Sequence, residues 1–372
     1  MKVLIVAHNE GTGGVESYIA NTLAGMELEN SNILIDIFLV GRNPEHHFSA
    51  MWKKCANAVY GPPARESRLQ TERRLYRTIK NHRYDIVHAH LSLCAQTMLY
   101  ARLLGVPHRM VQSHIEIPSG IPSRNQMQDM KQWLRRKIIL HCATDFLACS
   151  TAAAEYMFGK KVAEHTVIAR NGIDTKKFRF REEERTRRRK ELNVENRFVI
   201  GHIGRFHEQK NHKFLVEVFR ELVAREENAR LLLIGAGPLE SEVHSLVQQN
   251  HLEEKVLFLG TTSAVENYLC AMDVFVFPSL YEGLGIVAVE AQASGLPCVV
   301  SNAVPEEARL TDRIEFLPLE AGAEFWAETI LRYHPNRYQA DRREEWREIY
   351  NAGYDIHDTA KAMQIFYQKT IK

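Results

Sequence analysis

Two carboxylates separated by seven residues are the most informative chemical feature of this chain of 372 residues. Residues 279–285 read Ser-Leu-Tyr-Glu-Gly-Leu-Gly, so Glu282 lies in a glycine-containing turn, and Glu290 lies in the apolar segment that follows. If that segment is a helix from residue 286, Glu290 stands roughly 7 Å inside it. An ionised carboxylate accepts hydrogen bonds from two hydroxyls at once. The pair therefore indicates a site for a hydroxyl-rich ligand.

The residues around Glu282 also predict an anion site. The apolar run at 274–277 is typical of a buried parallel strand, Pro278 ends it, and Gly283 and Gly285 permit a tight turn into the helix. The first N–H groups of a helix have no partner inside it and carry positive partial charge. A strand, a glycine turn and a helix in this order place an anion-binding helix end beside the two carboxylates.

Two cations follow another predicted strand, at residues 198–203. Arg205 and Lys210 stand five positions apart in the loop between that strand and a helix predicted from residue 212. A guanidinium can fork onto two phosphate oxygens, and an ammonium supplies a compact charge. The pair therefore favours phosphate binding, and the alternative is two exposed loop cations without a ligand.

Histidines stand at the predicted carboxyl ends of two strands, at residues 85–90 and 109–114. Ligands of open α/β sheets bind at that edge, so His88, His90 and His114 could face a site. For His88 a satisfied structural histidine is at least as good an interpretation.

These motifs together resemble the signature of the retaining glycosyltransferases of family 4, which have the GT-B fold. The resemblance rests on Pro-Ser-x-x-Glu-Gly-Leu-Gly with its Glu-x7-Glu spacing, on Gly-Arg-x4-Lys, on Gly-x-Gly-Gly at residues 11–14 and on Asn-Gly-Ile-Asp at residues 171–174. It covers nearly the whole chain. The implied fold class is α/β, with two Rossmann-like doubly wound parallel sheets that face each other across a cleft.

The resemblance also implies a role for each matching residue. The implied catalytic residues are His114, Glu282, Arg205 and Lys210, and the implied substrate-binding residues are Gly13, Gly14, Asn171, Gly283, Leu284, Gly285 and Glu290. Among them, Arg205 and Lys210 would hold the donor diphosphate, on which negative charge develops. Glu282 would bind the sugar hydroxyls and Glu290 the ribose. His114 would contact the sugar from the first domain.

The implied reaction moves a hexose or N-acetylhexosamine from a nucleotide diphosphate sugar, UDP-linked by family frequency, to an acceptor hydroxyl with retention. No protein nucleophile is assigned. Residues 285–307 resemble enzymes of bacterial capsule or exopolysaccharide synthesis, so the implied acceptor is a saccharide or a lipid-linked saccharide. The chain has no Asp-x-Asp motif, and two fixed cations can replace a metal ion. We therefore expect a metal-independent enzyme without a cofactor.

The strand, loop and helix pattern occurs twice, and the length suits two domains with separate cores. We expect an acceptor-side domain at residues 1–175 and a nucleotide-sugar-binding domain at residues 176–353. The terminal helix, residues 354–372, is expected to cross back onto the first domain. Its predicted apolar face consists of Ala362, Ile365 and Phe366.

The net charge of +2 hides an asymmetry between the two halves. Residues 1–180 contain 24 Lys and Arg against 15 Asp and Glu, and the remainder contains 24 against 31. The basic half predicts an anionic partner, either a membrane surface or a lipid-diphosphate-linked acceptor, and not nucleic acid. It contains a predicted basic amphipathic helix at 66–83. The segment 131–140 suits either a membrane-surface helix or a core helix with a solvated rim.

Two other segments are assigned from composition. Residues 115–130 contain two prolines and a glycine and are predicted to form a mobile loop, and the charged run 179–191 is interpreted as linker and solvated helix surface. The six cysteines lack metal-binding spacing, and no apolar run approaches 18 residues. We therefore expect a cytoplasmic protein, with peripheral association at the inner face of the cell membrane.

Three other functions remain open from the sequence. A nucleotide-sugar epimerase of related fold is disfavoured because such an enzyme lacks the Glu-x7-Glu spacing that this chain has at Glu282 and Glu290. A Rossmann oxidoreductase is disfavoured because the run Gly-Ala-Gly-Pro-Leu-Glu at 235–240 breaks the dinucleotide fingerprint at its sixth position. A non-catalytic scaffold subunit of the same fold is disfavoured because every motif residue is present.

Overall fold

The computed structural model describes residues 1–8, 14–28, 31–40, 55–61, 66–90, 94–114, 126–338 and 341–370. Gly13, which the family resemblance implies as a substrate-binding residue, lies outside these ranges. The chain divides into two compact units, Met1–Gly172 together with Asp355–Lys372, and Ile173–Tyr354. We call them unit 1 and unit 2.

Unit 1 is built on a parallel sheet whose described strands have the order β3-β2-β1-β4-β5-β6-β7. These strands are β1 (Lys2–His8), β2 (Leu34–Val40), β3 (Ala58–Tyr60), β4 (Ile86–His90), β5 (His108–Ser113), β6 (Asp145–Ala148) and β7 (Val167–Ile168). The order reverses between β1 and β4, which is the topological switch point of a doubly wound sheet.

Helices cover both faces of that sheet, as a parallel sheet requires. In chain order they begin with α1 (Gly14–Gly25), α2 (Arg68–His82), α3 (Cys94–Leu103), α4 (Gln126–Cys142), α5 (Thr151–Phe158) and α6 (Lys160–Ala163). Helix α2 begins at a capping box, in which the Ser67 hydroxyl accepts from the Gln70 N–H and the Gln70 side chain accepts from the Ser67 N–H.

Unit 2 repeats the arrangement with the strand order β10-β9-β8-β11-β12-β13, again parallel throughout its described strands. They are β8 (Phe198–Ile203), β9 (Ala229–Ile234), β10 (Val256–Phe258), β11 (Val274–Phe277), β12 (Cys298–Ser301) and β13 (Ile314–Leu317). The helices are α7 (Thr175–Phe178), α8 (Glu182–Glu191), α9 (His212–Val223), α10 (Glu240–Gln249), α11 (Val265–Ala271), α12 (Ile286–Ala293), α13 (Gly322–Arg332) and α14 (Trp346–Ile349). The switch point lies between β8 and β11.

The last helix, α15 (Ile356–Thr370), belongs to unit 1 and packs against α1. Its buried residues are Ala360, Met363 and Tyr367. The predicted face is therefore wrong at two of its three residues: Ile365 is 38% exposed and Ala362 is also exposed, whereas Phe366 is half-buried against the unit 1 core. The buried stripe is centred on Met363 and ends at Tyr367, whose hydroxyl has a partner in the core, Nδ1 of His88 at 2.7 Å.

The loop predicted at residues 115–130 is wrong at its carboxyl end. Residues 126–130 belong to α4, and residues 115–125 lie outside the described ranges. The prolines and the glycine that break helices all precede residue 123, so nothing in the sequence prevents a helix from starting at residue 126.

The charged run at 179–191 is not only a solvated surface. Helix α8 buries Arg189, which is 6% exposed, and directs it and Arg185 toward Asp273 at 3.1 and 2.5 Å. The second Asp273 oxygen accepts the backbone N–H of Val199 at 2.7 Å. This ion-pair cluster fixes α8 to the amino ends of β8 and β11.

Candidate functional site

The predicted phosphate-binding and carboxylate residues converge at the switch point of the unit 2 sheet. Arg205 and Lys210 follow β8, and Glu282 follows β11, its neighbour in the sheet. The Nζ atom of Lys210 lies 2.6 Å from Oε1 of Glu282, and both side chains are mostly buried. The structure therefore brings into contact two residues for which the family resemblance implies different parts of one ligand, the diphosphate for Lys210 and the sugar for Glu282.

The loops that carry Lys210 and Glu282 are held to each other by Gln209. Its carbonyl accepts the N–H of Leu280 at 2.8 Å, and its side-chain amide donates to the carbonyl of Tyr281 at 2.9 Å. Sequence reasoning missed Gln209. Its place beside Lys210 was a signal, but its partners Leu280 and Tyr281 are distant in sequence, with Tyr281 72 positions away, and could not be found by spacing.

Arg205 is exposed, and it makes no hydrogen bond or ion pair with any residue in the described ranges. Its loop lies against the turn at residues 235–237. A Cβ atom on Gly235 would lie 2.0 Å from the Gly204 carbonyl oxygen, and one on Gly237 would lie 2.4 Å from that of Phe206. These glycines therefore serve close backbone packing behind the Arg205 loop, which accounts for a run that only superficially matches a dinucleotide fingerprint.

The turn into α12 has the geometry that its glycines predict. Gly285 has a φ of +79°, and a Cβ atom there would lie 3.2 Å from the Phe277 ring. Gly283 and Leu284 are buried in the same turn. The amino end of α12, where helical N–H groups lack internal partners, follows directly.

Glu290 lies in α12 beside Lys177 of α7 and Glu266 of α11, which form an ion pair at 3.3 Å. Burial raises the pKa of the Glu290 carboxyl to about 8, with Lys177 opposing and Glu266 adding to the rise. Among the described residues, none makes a hydrogen bond to this carboxyl group. By solvent accessibility Glu290 is half-buried, so its carboxyl group, which no described residue satisfies, is open to a ligand that supplies hydroxyl donors.

His202, near the end of β8, is a second residue that the sequence analysis did not single out. Its Nδ1 lies 2.9 Å from the carbonyl oxygen of Val276, which can only accept, so Nδ1 carries the proton. Burial holds the pKa of His202 well below its usual range. The bare Nε2 has no partner within the described part of the chain and lies near the glycine at 204, behind Lys210.

In unit 1, the structure brings His114 together with His90. His114 follows β5, His90 ends β4, and Nε2 of His114 lies 2.8 Å from Nδ1 of His90. The ring of Tyr18 from α1 lies 5.1 Å from the His114 ring. Nδ1 of His88 bonds instead to the Tyr367 hydroxyl, which favours its interpretation as a structural histidine, and its buried Nε2 has no partner among the described residues.

The remaining unit 1 site residues are Asn171 and Gly14. Asn171 is buried, and its Oδ1 has no partner among the residues described. The next residue, Gly172, packs closely against α15, where a Cβ atom would lie 2.0 Å from the Thr359 hydroxyl. Gly14 is exposed at the start of α1 with open space around its Cα.

The described residues contain no group of three or more His, Cys, Asp or Glu side chains arranged for a metal ion. Nor does any described helix combine the length and apolarity needed to span a bilayer.

Two doubly wound parallel-sheet units are what the GT-B fold requires, and in unit 2 a lysine and a glutamate are paired at the switch point. Family comparisons agree. Residues 12–177 match the sequence family described as Glycosyltransferase Family 4, and residues 183–314 match the one described as Glycosyl transferases group 1. The chain belongs to glycosyltransferase family 4.

Curated relatives support this assignment along most of the chain. EpsF of Bacillus subtilis (strain 168), whose name assigns it to the glycosyltransferases, is 34% identical over 89% of this chain and 87% of its own. The UDP-Gal:alpha-D-GlcNAc-diphosphoundecaprenol alpha-1,3-galactosyltransferase of Escherichia coli is 30% identical over 61% of this chain and 60% of its own. The capsular polysaccharide biosynthesis glycosyltransferase CapM of Staphylococcus aureus is 31% identical over 46% of each chain.

Solved structures support the fold. Anabaena HepE in complex with UDP-glucose superimposes with a TM-score of 0.80 over 99% of this chain and 100% of its own, at 18% sequence identity. At that identity the likeness bears on the fold alone, and it confirms the GT-B expectation.

Proposed function

We propose that this chain transfers a hexose or N-acetylhexosamine from a UDP-sugar to an acceptor hydroxyl with retention of the anomeric configuration. The observation that carries the proposal is the contact between Lys210 and Glu282 at the switch point, and Arg205, in the same loop as Lys210, has an exposed side chain without a protein partner in the described ranges. UDP as the nucleotide is further supported by the E. coli relative's donor and by the ligand of HepE.

In the proposed reaction, unit 2 binds the donor and unit 1 supplies the acceptor side. The bond between the anomeric carbon and the diphosphate oxygen breaks, and the acceptor oxygen bonds to that carbon while its hydroxyl proton is released. Because Lys210 would bind the phosphate and Glu282 the attached sugar, the breaking bond would lie beside their 2.6 Å contact. Lys210, Arg205 and the amino end of α12 would stabilise the charge that develops on the departing diphosphate.

The acceptor we propose is a saccharide, free or linked to a lipid diphosphate, in capsule or exopolysaccharide synthesis. The names of the E. coli relative and of CapM motivate this choice. His114 would contact the sugar, Asn171 and Gly14 would lie near the ligands, and the protein would work in the cytoplasm.

A donor screen tests the proposal. The chain would be incubated with UDP-, GDP- and dTDP-sugars and a lipid-diphosphate-linked saccharide, and nucleotide release would be measured. Product linkage and anomeric configuration would follow from NMR. Release of UDP with formation of an α-linked product from an α-linked donor supports the proposal. An inverted product contradicts retention, and a sugar nucleotide converted without transfer points to an epimerase.

The first prediction is that turnover does not need a divalent metal. Arg205 and Lys210 supply two fixed positive charges where other transferases place a metal ion held by Asp-x-Asp. Initial rates in excess EDTA should equal those in magnesium or manganese. Activity that EDTA abolishes and either ion restores would refute this.

The second prediction is that donor binding strengthens as pH rises toward 8. Without ligand, burial keeps Glu290 protonated near pH 7, because its pKa is raised to about 8. Ribose hydroxyls donate hydrogen bonds preferentially to the ionised form of the Glu290 carboxyl. Below pH 8, donor binding must therefore release a proton from Glu290. The Kd of UDP-glucose, whose phosphates do not titrate in this range, should fall severalfold between pH 6.5 and 8.5 and then level off.

The Glu290→Gln variant is the control for this pH dependence. Glutamine is isosteric with glutamate and cannot ionise, so the variant should bind UDP-glucose more weakly than the wild type, with a Kd that does not change with pH. A wild-type Kd that is flat over the same range would show that ionised Glu290 is not the ribose acceptor.

We also propose that unit 1 associates peripherally with an anionic membrane surface. Helix α2 packs against α3 and α3 against α4, and these three helices contain ten Lys and Arg against two acidic residues. That is nearly the whole basic excess of the first half of the chain. Exposed apolar residues accompany the charge. On this three-helix surface they are Leu69, Leu103, Met130, Trp133 and Leu134.

The exposure of side chains in α4 can be compared with the two interpretations of residues 131–140, a membrane-surface helix and a core helix with a solvated rim. Trp133 is 59% exposed and Leu134 is 53% exposed, whereas Ile139 is buried. The first half of the segment therefore lies outside the core, and its second half packs inward. An exposed tryptophan flanked by cations is typical of a membrane-surface helix.

The third prediction is salt-dependent binding to vesicles. Each basic side chain near an anionic bilayer contributes about 1 kcal/mol, and screening shortens to about 3 Å at 1 M salt. The chain should co-sediment with phosphatidylglycerol vesicles at low salt and dissociate at 1 M. Arg77→Glu should weaken binding severalfold, whereas Lys213→Glu, an exposed reversal in unit 2, should not. Equal binding to neutral phosphatidylcholine vesicles, or none to anionic ones, would contradict the proposal.

A further inference from the structure

His88, His90 and His114 form a buried row on one face of the unit 1 sheet. His88 and His90 are two positions apart on β4 and share that face, and their ring centroids lie 4.2 Å apart. The His90 and His114 rings lie 5.1 Å apart. All three side chains are at most 6% exposed. Three buried imidazoles need partners for their nitrogens, and the partners differ along the row.

One ring nitrogen of His114 is hydrogen-bonded to another residue, and the other ring nitrogen has no hydrogen bond to any described residue. Nε2 of His114 is engaged with Nδ1 of His90 at 2.8 Å. Nδ1 of His114 is buried and has no partner among the described residues. A buried imidazole nitrogen without a partner costs free energy unless a ligand completes it.

We propose that His90 is a positioning residue for His114, and that it orients the imidazole and fixes its tautomer so that Nδ1 is the nitrogen presented to the donor sugar. The inference rests on the proposed function for the identity of the ligand, but the orientation of His114 does not depend on it. Nothing in the family resemblance assigned a role to His90.

The electrostatics of the row couple the tautomers of His90 and His114. Burial lowers the pKa of His114 to about 3 and holds that of His90 well below its usual range. Both rings are therefore neutral near pH 7, and the contact between them holds one proton. If His114 donates it, Nδ1 of His114 is an acceptor, and if His90 donates it, Nδ1 of His114 is a donor, so the tautomer of His90 sets that of His114.

The experiment compares three variants at and near position 90. His90→Leu removes the hydrogen bond. His90→Asn keeps a polar atom the same number of bonds from Cβ as Nδ1, so it can restore the bond. His88→Leu is the matched control, because it deletes an equally buried imidazole on the same face whose Nδ1 bonds to Tyr367 and not to His114.

We expect His90→Leu to lower the kcat for sugar transfer roughly ten- to hundredfold, since small misplacements of a contacting group have effects of that size. His90→Asn should recover most of the loss. His88→Leu should lower thermal stability about as much as His90→Leu but keep kcat within threefold. Binding of UDP, which lacks the sugar, should be unchanged in all three variants.

NMR of 15N-histidine-labelled protein supplies a readout that needs no turnover. In the wild type, long-range 1H–15N correlations should show His114, assigned with His114→Asn, as one neutral tautomer from pH 6 to 8. In His90→Leu the two tautomers should mix. The NMR measurement tests the inference even if His90→Leu does not fold, because spectra of the wild type and of His90→Asn are sufficient to show whether His114 has a fixed tautomer.

Several results would overturn the inference. They are a tautomer mixture or a charged His114 in the wild type, a His90→Leu kcat within threefold of wild type, or a His90→Asn variant as impaired as His90→Leu. Absence of sugar transfer by the wild type, with the fixed tautomer present, would instead refute the proposed function and leave the orientation of His114 standing.

Discussion

Replacing Lys210 with alanine is expected to reduce kcat/KM by about thirty- to a thousandfold, which corresponds to about 2–4 kcal/mol of transition-state stabilisation. The reason is the place of Lys210 at the switch point, where its ammonium group lies 2.6 Å from Glu282 and 4.5 Å from the centre of the Phe277 ring. In this partly buried setting a charge-assisted contact to phosphate is stronger than at an exposed site. The measurement is steady-state UDP release at varied donor concentration.

Lys213→Ala provides a matched control for this prediction. Lys213 lies three residues further along, in α9, and it is exposed without an ion pair in the described part of the chain. Its replacement should leave kcat/KM within twofold. A Lys210→Ala enzyme within about threefold of wild type (~0.7 kcal/mol) would show that Lys210 does not contact the diphosphate.

Replacing Asp273 with alanine is expected to lower the free energy of unfolding of unit 2 by about 3–5 kcal/mol. The change leaves Arg189 buried without its carboxylate, deprives Arg185 of its ion pair and removes the acceptor of the Val199 N–H. A buried charge without a partner is costly, because its desolvation is no longer offset. Urea unfolding followed by hydrogen exchange in β8 and β11 measures the loss in this unit.

The control is Asp341→Ala, which removes the partner of Arg343 in the same unit. Both side chains of that pair are about 70% exposed, and their charged atoms are 4.0 Å apart. An exposed pair of this kind contributes about 1 kcal/mol or less, and the Asp341 carboxylate also accepts the exposed backbone N–H of Arg343 at 3.0 Å, so the loss should stay well below that of Asp273→Ala. If the two aspartate variants lost equal stability, the buried cluster would not be what holds α8 to the sheet.

Much of the fold could be predicted because its local patterns are strong. Apolar runs such as residues 274–277 are typical of parallel strands, and Gly283 and Gly285 mark the turn that precedes α12. The hydrogen bond that joins Tyr367 of α15 to His88 could not be predicted, because the two residues are 279 positions apart. The ion pairs of α8 were missed for the same reason, since no composition rule separates a solvated arginine from one with a distant carboxylate.

The candidate site could also be predicted only in part, because local patterns identify its residues but not the contacts between them. Spacing and resemblance named Arg205, Lys210 and Glu282, because these residues lie next to recognisable strand ends. They could not show that Lys210 and Glu282 touch, or that Gln209 holds the two loops together. Such contacts depend on the order of strands in the sheet, which places β8 beside β11 although more than 70 residues separate them.

The return of α15 to unit 1 has a consequence for synthesis on the ribosome. Unit 2 is one continuous segment, Ile173–Tyr354, and every strand of its described sheet has emerged before α15 is made. Unit 1 begins first, yet the apolar face of α1 is covered only when Ala360, Met363 and Tyr367 arrive. The amino-terminal part of unit 1 must therefore wait with part of its core uncovered until Ile356–Thr370 has been made, so the unit that is synthesised second is the one able to complete its folding first.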